Sequence, residues 1–297
     1  MQKQPDNVKI AFIGGDERQI YCAKYLADRG YECALCGFDS YDGDFGFCTR
    51  CACFCDAVEK SEVIILPLPV TMDGSKINCT YSESEILIED VLDCTDKNVI
   101  VIGGNADESL RERFINCGFK YIDYYDREEL QVANAFLTAE SAVGIAINEL
   151  KNSIRDKSVL VIGYGRIGKA LCHILKAMGV NVYASARNHK DFEWISAFGF
   201  SAVDTGKICD VAVRCGVIFN TVPKLVLGDD VLRCISDDSL IIDLASKPGG
   251  VDFTSARKYG IKTIWALALP GKHMPKSAGE AVAKTLINIL EDEEVII

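Results

Sequence analysis

The sequence SVLVIGYGRIGKAL, residues 158–171, decides the fold of this chain. Its apolar start predicts a buried strand, and the amphipathic residues at its end predict a helix. Between them, Gly163, Gly165 and Gly168 have the G-x-G-x-x-G spacing. At this spacing the first glycine permits a tight turn, the second lets a pyrophosphate approach, and the third lets helix and strand pack closely. The strand and helix on either side favour a dinucleotide site over a glycine turn that serves packing alone.

The pyrophosphate of such a nucleotide binds where the backbone N–H groups of the helix start are free. Two later segments, NTVP and DLAS, follow apolar runs and are expected to bring further contacts to the nucleotide. The residues predicted to bind the cofactor from these three segments are Gly163, Tyr164, Gly165, Arg166, Ile167, Gly168, Asn220, Thr221, Val222, Pro223, Leu244, Ala245 and Ser246.

The segment VYASARNHK, residues 182–190, indicates which nucleotide is bound. An NAD enzyme has an Asp or Glu about 20 residues after the first glycine, where it binds the ribose 2′-hydroxyl. Here Ser185, Arg187 and Asn188 occupy that region, and their hydroxyl, guanidinium and amide groups can all bind a 2′-phosphate. The sequence therefore favours NADP, with the alternative that Arg187 is only a solvated surface residue.

Apolar runs alternate with helical patterns along most of the chain, which is typical of βαβ units and parallel sheets. We therefore predict an α/β protein with two Rossmann-like, doubly wound parallel-sheet domains, joined by linking helices and separated by a cleft. The predicted boundaries are 1–130 for a substrate and catalytic domain and 131–275 for an NADP-binding domain. A linking helix over 127–153 connects them, and a C-terminal helix over 276–297 packs back on the first domain.

Strand ends of the first domain supply candidates for a second ligand. The segment FIGGDERQ places Gly14, Gly15, Asp16 and Arg18 where a helix start and a guanidinium could hold a carboxylate. Further lysines near predicted strand ends suggest an anionic ligand in a chain of net charge −11. The other residues expected near this ligand are Thr71, Asn105, Lys272, Lys276 and Ser277.

Composition excludes several classes of function. The net charge of −11 disfavours nucleic acid and anionic membrane surfaces as partners. The start of the chain has no signal-peptide pattern, and we expect no membrane segment because no apolar run approaches about 20 residues. We therefore expect a cytoplasmic protein. The motifs of hydrolases and kinases, such as G-x-S-x-G, H-E-x-x-H and Walker A, are not found in the sequence.

The 14 cysteines and the 3 histidines offer alternative chemistry. The pairs Cys33-x2-Cys36 and Cys48-x2-Cys51 have the spacing of metal knuckles. Residues three apart on a strand diverge, however, and CACFC at 51–55 alternates as a strand does, so we expect core cysteines and no metal. His273 is considered as an acid or base but has no visible partner.

Several segments together resemble one family. IGGDERQ, GFD, IGYGRIG, SAR, NTVP, DLASKPGGVDF and LPGKHMPKSAG occur in the order and spacing of the A subunit of dipicolinate synthase. The resemblance covers nearly the whole chain, and DLASKPGG and the segment ending in PKSAG are its most specific parts. The cysteine cluster and His273 are not part of the family's pattern.

The resemblance implies a sporulation enzyme of the mother-cell cytoplasm that acts with a B subunit and uses NADP. Its reaction would be the oxidation of dihydrodipicolinate to dipicolinate, pyridine-2,6-dicarboxylate. For this reaction we assign the two carboxylates of the substrate to Arg18 and to Lys272 or Lys276, with Asp16 or solvent accepting the proton. We also expect a homo-oligomer and closure of the two domains over the substrate.

Two other interpretations of the same features stay open. One is an NADP-dependent 2-hydroxy acid or amino acid dehydrogenase, for which the Arg, acid and His set of those enzymes is not found at motif positions. The other is a nucleotide-binding subunit of a complex that catalyses nothing itself.

Overall fold

The structure is a computed structural model that describes residues 8–295. Residues 1–7 and 296–297, which belong to the predicted first domain and C-terminal helix, lie outside this range. The chain forms two compact units, one made of Met1–Ala133 and Met274–Ile297, the other of Asn134–His273. Each unit has a six-stranded parallel sheet with helices beside it, so the predicted fold class is confirmed.

The sheet of the first unit consists of six parallel strands, β1 (Lys9–Ile13), β2 (Glu32–Cys36), β3 (Thr49–Arg50), β4 (Val63–Ile65), β5 (Ile100–Gly103) and β6 (Lys120–Asp123). Their order in the sheet is β3-β2-β1-β4-β5-β6. The order reverses between β1 and β4. Ligands of open α/β sheets bind outside the carboxyl ends of the strands at such a reversal.

Helices of this unit follow the strands and cover both faces of the sheet. Alternate residues of β1 point to opposite faces, so Phe12 packs in one core with Ile20 and Ile13 packs in the other with Phe114. The helices that connect the strands are α1 (Glu17–Ala27), α2 (Phe54–Val58), α3 (Ile88–Asp93) and α4 (Glu108–Asn116).

The cysteine-rich connection differs from its prediction. CACFC does not form a strand, because α2 begins at Phe54 and buries Ala57 and Val58 at helical spacing. Cys33 and Cys36 of β2 do point into cores on opposite faces of the sheet. Across residues 8–295, no group of three or more His, Cys, Asp or Glu side chains is arranged to hold a metal ion.

A long helix, α5 (Glu128–Glu149), leads from the first unit into the second. Contrary to the expectation that no segment could span a membrane, α5 is long and apolar enough to do so by length and composition. Length and composition also fit a core helix, and several α5 residues, including Ala139, Ala142 and Ala146, are buried in the core of the second unit.

The sheet of the second unit repeats the topology of the first. Its strands are hydrogen-bonded in parallel and, named in chain order, they are β7 (Ser158–Ile162), β8 (Asn181–Ala186), β9 (Ser201–Asp204), β10 (Cys215–Asn220), β11 (Leu240–Asp243) and β12 (Lys262–Trp265). The order in the sheet is β12-β11-β10-β7-β8-β9, so it reverses between β7 and β10.

The helices of the second unit are α6 (Arg166–Ala177), α7 (His189–Ala197), α8 (Cys209–Ala212), α9 (Asp229–Leu232), α10 (Phe253–Lys258) and α11 (Leu269–His273). The inner strands β7, β10 and β11 are almost wholly buried, which explains their apolar sequences, whereas the edge strands β9 and β12 are more exposed. Of the helices, α6 begins at Arg166, within the glycine motif, and contains Gly168.

The last helix, α12 (Pro275–Asp292), belongs to the first unit and packs along α1. Gly279 lies so close to α1 that a β-carbon there would come 3.0 Å from the backbone nitrogen of Cys22 and closer still to the carbonyl oxygen of Arg18. Ion pairs of Lys120 with Glu293 and of Arg127 with Asp292 fasten the far end of α12 to the unit.

Candidate functional site

The glycine motif of the second unit has the geometry of a dinucleotide site. Strand β7 ends at Ile162, and Gly163 turns the chain with a φ of +95°, which favours glycine. Gly165 precedes α6, and no side chain caps the helix there. A β-carbon on Gly165 would have no described atom within 4 Å, so the backbone is open to a ligand at this point. The residues present therefore fit a pyrophosphate at the start of α6.

Two non-glycine residues of the motif, Tyr164 and Ile167, pack against the protein core, Tyr164 more fully than Ile167. Tyr164 is buried in the core of the second unit, and burial raises the pKa of its hydroxyl to about 12. This hydroxyl has no hydrogen-bond partner among the described residues. Ile167 packs partly against the same core. Tyr164 and Ile167 thus position the turn, and the contacts that the turn offers to a nucleotide come from its backbone.

Ser185 lies elsewhere than its assignment as a phosphate ligand requires. Strand β8 is flanked by β7 and β9, so Ser185 is paired on both sides and is fully buried. Its hydroxyl is 3.3 Å from that of Thr205 and accepts a 3.4 Å hydrogen bond from the Gly163 N–H. Ser185 therefore holds the glycine turn through its hydrogen bond with Gly163. It is not exposed at the surface, where a ribose phosphate would bind.

Arg187 and Asn188 are exposed immediately after β8. Asn188 caps α7, since its side-chain oxygen accepts a 2.8 Å hydrogen bond from the Asp191 N–H. Its amide also donates to the Asp191 carboxylate at 2.8 Å. Arg187 is the exposed cation at the end of this strand, where the sequence predicts the 2′-phosphate.

The NTVP and DLAS segments meet at the same edge of the second sheet. Asn220 is fully buried and donates from its amide to the carboxylate of Asp243 at 2.8 Å and to the Val222 carbonyl at 3.0 Å. Thr221 donates to the Ile162 carbonyl at 2.9 Å, which ties this loop to the end of β7. The structure therefore places the NTVP loop beside the glycine turn, as a shared nucleotide site requires.

Asp243 is a buried residue of this edge that the sequence analysis missed. Its two carboxylate oxygens accept hydrogen bonds from Asn220, from the Ala245 N–H at 3.1 Å and from the Gly250 N–H at 2.9 Å. Among the neighbouring residues predicted to bind the cofactor, Leu244 and Ala245 are buried, whereas Pro223 and Ser246 are exposed to solvent. The signal that could have found Asp243 is a carboxylate that ends an otherwise apolar strand.

In the first unit, Asp16 and Arg18 form an ion pair at the start of α1. The Arg18 guanidinium donates to both Asp16 oxygens, with Nη2 2.7 Å from Oδ2 and Nε 2.9 Å from Oδ1. Nη2 also donates to the Leu68 carbonyl at 2.6 Å. Burial alone would lower the pKa of Arg18, but the hydrogen bond and charge of Asp16 outweigh it and raise the pKa above its usual range.

Gly14 and Gly15, which precede this pair, adopt φ values of +68° and +115°. They allow the chain to turn from β1 into α1, where Asp16 caps the helix by accepting from the Arg18 N–H at 3.0 Å. The side-chain hydrogen bonds of Arg18 described above come from Nε and Nη2. A guanidinium oriented by Asp16 and Leu68 thus retains donors for an anionic ligand.

Thr71 and Asn105 lie on neighbouring loops of the same sheet edge. The Val70 N–H donates to the Gly104 carbonyl at 3.0 Å, which joins the two loops. Thr71 accepts from the Gly74 N–H at 3.0 Å and so organises its own turn. Asn105 is exposed with a φ of +57°.

The three remaining candidates lie on the last two helices. Lys276 and Ser277 lie in the first turn of α12, one turn before Gly279 contacts the Arg18 backbone, and both are accessible to solvent. The structure therefore brings the first turns of α1 and α12 together. Lys272 is exposed in α11 of the second unit, as is His273.

Comparisons with known proteins agree with this geometry. The family model for the N-terminal domain of the dipicolinate synthase A subunit matches residues 9–125, and "D-isomer specific 2-hydroxyacid dehydrogenase, NAD binding domain" matches residues 121–245. The A subunit of dipicolinate synthase from Bacillus subtilis (strain 168) is 30% identical over 286 residues, 96% of this chain and 96% of the relative.

Two crystal structures of such proteins have the same fold. The dipicolinate synthase A protein of Bacillus subtilis matches with a TM-score of 0.85 at 30% identity, covering 96% of both chains. Its counterpart from Bacillus halodurans matches with a TM-score of 0.86 at 28% identity, covering 97% of this chain and 99% of that one.

The fold and the glycine motif define an oxidoreductase of the two-domain dehydrogenase class with a site for a nicotinamide nucleotide. The 30% identity to the Bacillus subtilis protein, over 96% of this chain, identifies one family within this class. The chain belongs to the family of dipicolinate synthase A subunits, which confirms the resemblance drawn from its motifs.

Proposed function

We propose that this protein oxidises dihydrodipicolinate to dipicolinate with NADP, together with a dipicolinate synthase B subunit. The observation that carries the proposal is the 30% identity to the Bacillus subtilis dipicolinate synthase A protein over 96% of the chain. The open backbone at Gly165 supports a nucleotide-dependent reaction. On the basis of the family we also propose a role in sporulation, in the mother-cell cytoplasm.

The preference for NADP rests on the residues after β8. No carboxylate follows this strand at the position that would bind a ribose 2′-hydroxyl, and Ser185 in that region is buried. The exposed residues that come next are Arg187, Asn188, His189 and Lys190. The carboxylate of Asp191 is engaged by the Asn188 amide. Arg187 and Lys190 can therefore compensate the charge of a 2′-phosphate.

The substrate of the proposed reaction carries two carboxylates, and the first unit offers cationic groups for an anion. Arg18 is held in place by Asp16 and Leu68, so little side-chain entropy is lost when it binds a carboxylate. The first turn of α12 adds Lys276 and Ser277 beside α1. We assign Arg18 to one carboxylate and Lys276 of the same unit to the other.

A nicotinamide nucleotide held at the glycine turn would supply the hydride acceptor for oxidation of the dihydropyridine ring. The protein's own residues then have to orient the ring and receive one proton. Asp16 is the nearest carboxylate to Arg18, but both of its oxygens accept hydrogen bonds from that side chain. We therefore favour solvent over Asp16 as the proton acceptor, since aromatisation already drives the reaction.

The partners are proposed on the same basis. The relative is named as a subunit, which supports a partner subunit for this chain. A homo-oligomer is proposed as well. With a net charge of −11, neither nucleic acid nor an anionic membrane surface is proposed as a partner.

The decisive experiment measures nucleotide reduction and dipicolinate formation together. Dihydrodipicolinate is generated in the cuvette by a dihydrodipicolinate-forming enzyme, and the protein is added with NADP or NAD, with and without a B subunit. We expect dipicolinate and NADPH to form in equal amounts, faster than without the protein. NADP binding without turnover under every condition would instead favour a non-catalytic subunit, and turnover of a 2-hydroxy or amino acid would favour an ordinary dehydrogenase.

The NADP preference is tested with Arg187→Ala. Loss of one charge-assisted contact, worth about 1.5–3 kcal/mol, should raise the dissociation constant for NADP about 10- to 100-fold. The constant for NAD should change little. Arg233→Ala is the matched control, because Arg233 is exposed in the same unit but follows α9, away from the glycine motif. Equal effects of Arg187→Ala on both nucleotides would contradict the assignment.

A further inference from the structure

Two cysteines of the first unit lie unusually close together. The Sγ atoms of Cys55 and Cys94 are 2.7 Å apart, although the residues are 39 positions apart in sequence. Both are free thiols, Cys55 is partly exposed and Cys94 is exposed. A disulfide has an S–S distance of about 2.05 Å, so only a small movement separates this pair from a bond.

The packing of the first unit holds this thiol pair in place. Cys55 lies in α2, and Cys94 caps the carboxyl end of α3. Both helices pack on the same face of the sheet, where they bury neighbouring side chains of one core cluster, namely Ala57, Val58, Val91 and Leu92. The two cysteines therefore meet because their helices are fixed.

The environment gives the thiols different reactivity. The hydrogen bond with Cys94, followed by burial and a contact with Cys53, raises the pKa of Cys55 to about 12. Cys55 is thus held as a thiol, whereas Cys94 and Cys53 are exposed to reagents in solution. An exposed thiol beside a second, hydrogen-bonded thiol is the arrangement in which a mixed disulfide is resolved within the protein.

We propose that Cys55 and Cys94 are a modification site that forms a reversible disulfide by exchange with a low-molecular-weight disulfide. The Cys94 thiolate attacks one sulfur of the small disulfide and releases its other half as a thiol. The Cys55 sulfur, on losing its proton, then attacks Cys94 and releases the second half. The two cysteines lose two electrons and two protons, and the small disulfide is reduced to two thiols.

The bond would close a loop that contains part of the candidate substrate site. The segment between Cys55 and Cys94 includes Leu68, whose carbonyl accepts a hydrogen bond from Arg18, and Thr71. A disulfide stabilises chiefly by limiting the unfolded chain, and more so for a long loop. The oxidised form should therefore be more stable than the reduced form, and dithiothreitol should reverse the effect.

The test uses the full chain and oxidised glutathione as the probe. Free thiols are alkylated after oxidation, the protein is digested without reduction, and cross-linked peptides are identified by mass spectrometry. We expect a Cys55–Cys94 peptide and a thermal midpoint raised by about 5 °C or more. Absence of this peptide would overturn the proposal, as would a bond at Cys53–Cys94 or Cys33–Cys48 in its place.

Three variants locate the effect. Cys94→Ser and Cys55→Ser should lose both the peptide and the rise in the midpoint. Cys117→Ser is the matched control, because Cys117 is also exposed and also caps the carboxyl end of a helix, α4. It should retain both. A rise in the midpoint that survives in Cys94→Ser would assign the stabilisation to another pair and contradict the proposal.

Discussion

Gly168 lies directly against the carbonyl oxygen of Gly163, so a β-carbon at Gly168 would overlap that backbone atom. The third glycine of the motif is thus required by the packing of α6 on the turn. Gly165, three residues earlier, has open space where its β-carbon would be. Within one motif, one glycine therefore serves the fold and another leaves room for a ligand.

This difference predicts opposite outcomes for two alanine variants. Gly165→Ala should lose no more than about 1 kcal/mol of unfolding free energy, because alanine is a poorer helix N-cap than glycine but fits the φ of −78° and the open space there. It should bind NADP at least about 10-fold more weakly. Gly168→Ala should lose about 1–3 kcal/mol of unfolding free energy through overpacking. Urea unfolding and a fluorescence titration of NADPH measure the two effects. Unchanged NADPH affinity in Gly165→Ala would argue against a nucleotide at this turn.

Arg18 should be necessary for binding a dicarboxylate. Its removal deletes a charge-assisted contact worth about 1.5–3 kcal/mol, so Arg18→Ala should raise the substrate KM about 10- to 100-fold. Arg18→Lys should restore only part of this loss, because an ammonium cannot bind Asp16 in the same two-point geometry.

The control for Arg18 lies just beyond the other end of α1. Arg29 is exposed and donates to the Tyr25 carbonyl, so Arg29→Ala should leave the KM unchanged. Lys276→Ala should weaken substrate binding less than Arg18→Ala, since Lys276 is accessible to solvent. If Arg18→Ala and Lys276→Ala both leave turnover and KM as in wild type, the substrate carboxylates bind elsewhere.

Two glycines on long helices should respond in opposite directions to substitution. Gly279→Ala places a β-carbon against the backbone of α1, which cannot yield, and should cost about 1–3 kcal/mol of unfolding free energy. Gly144 lies in α5 with no described atom within 4 Å of a β-carbon. Gly144→Ala should therefore gain about 0.5–1 kcal/mol from helix propensity. Urea unfolding of both variants checks the pair, and equal stabilities would contradict the packing of α12 on α1.

Much of the fold could be predicted because its strands are continuous apolar runs followed by helical patterns. Strand β3 could not, because it has two residues, Thr49 and Arg50, both exposed and without any apolar signal. The cysteines at 51, 53 and 55 have the two-residue spacing of a strand. Phe54, Ala57 and Val58 have the spacing of a helix, and a helix is what forms. Cysteine counts as apolar in both patterns, so composition alone could not decide between them.

The candidate site was predictable where it depends on local spacing. The glycine turn was predicted from residues close together in sequence, and its strand and helix are present in the structure. The ion pair between Asp16 and Arg18 was not predicted, although the two residues are only two positions apart. The burial of Ser185 depends on β8 being an inner strand, with Ile162 and Val203 paired on its two sides. The bonds of Asp243 to Asn220 and Gly250 likewise depend on how separate segments meet in the fold. Hydrogen-bond partners and strand neighbours of this kind can be identified only when the order of the strands in the sheet is known.

Stability of the second unit should fall at alkaline pH because of Cys172. This cysteine is fully buried in α6, and burial raises the pKa of its thiol to about 12, whereas an unfolded thiol has a pKa of about 8.5. Below about pH 8.5 both states are protonated, so this thiol contributes its full stabilisation there. Above it the unfolded state loses a proton that the folded state keeps, and the unfolding free energy falls by up to about 1.4 kcal/mol per pH unit.

The measurement is urea unfolding at pH 8, 9 and 10 with a reductant present. Cys172→Ala should show a smaller loss of unfolding free energy between pH 8 and 10 than wild type, by about 1–2 kcal/mol. Val217→Ala is the control, because it truncates a buried side chain of the same core without removing a titratable group. It should lower the stability at every pH and keep the wild-type dependence. The same pH dependence in Cys172→Ala as in wild type would show that the unfolding of this unit is not linked to the Cys172 proton.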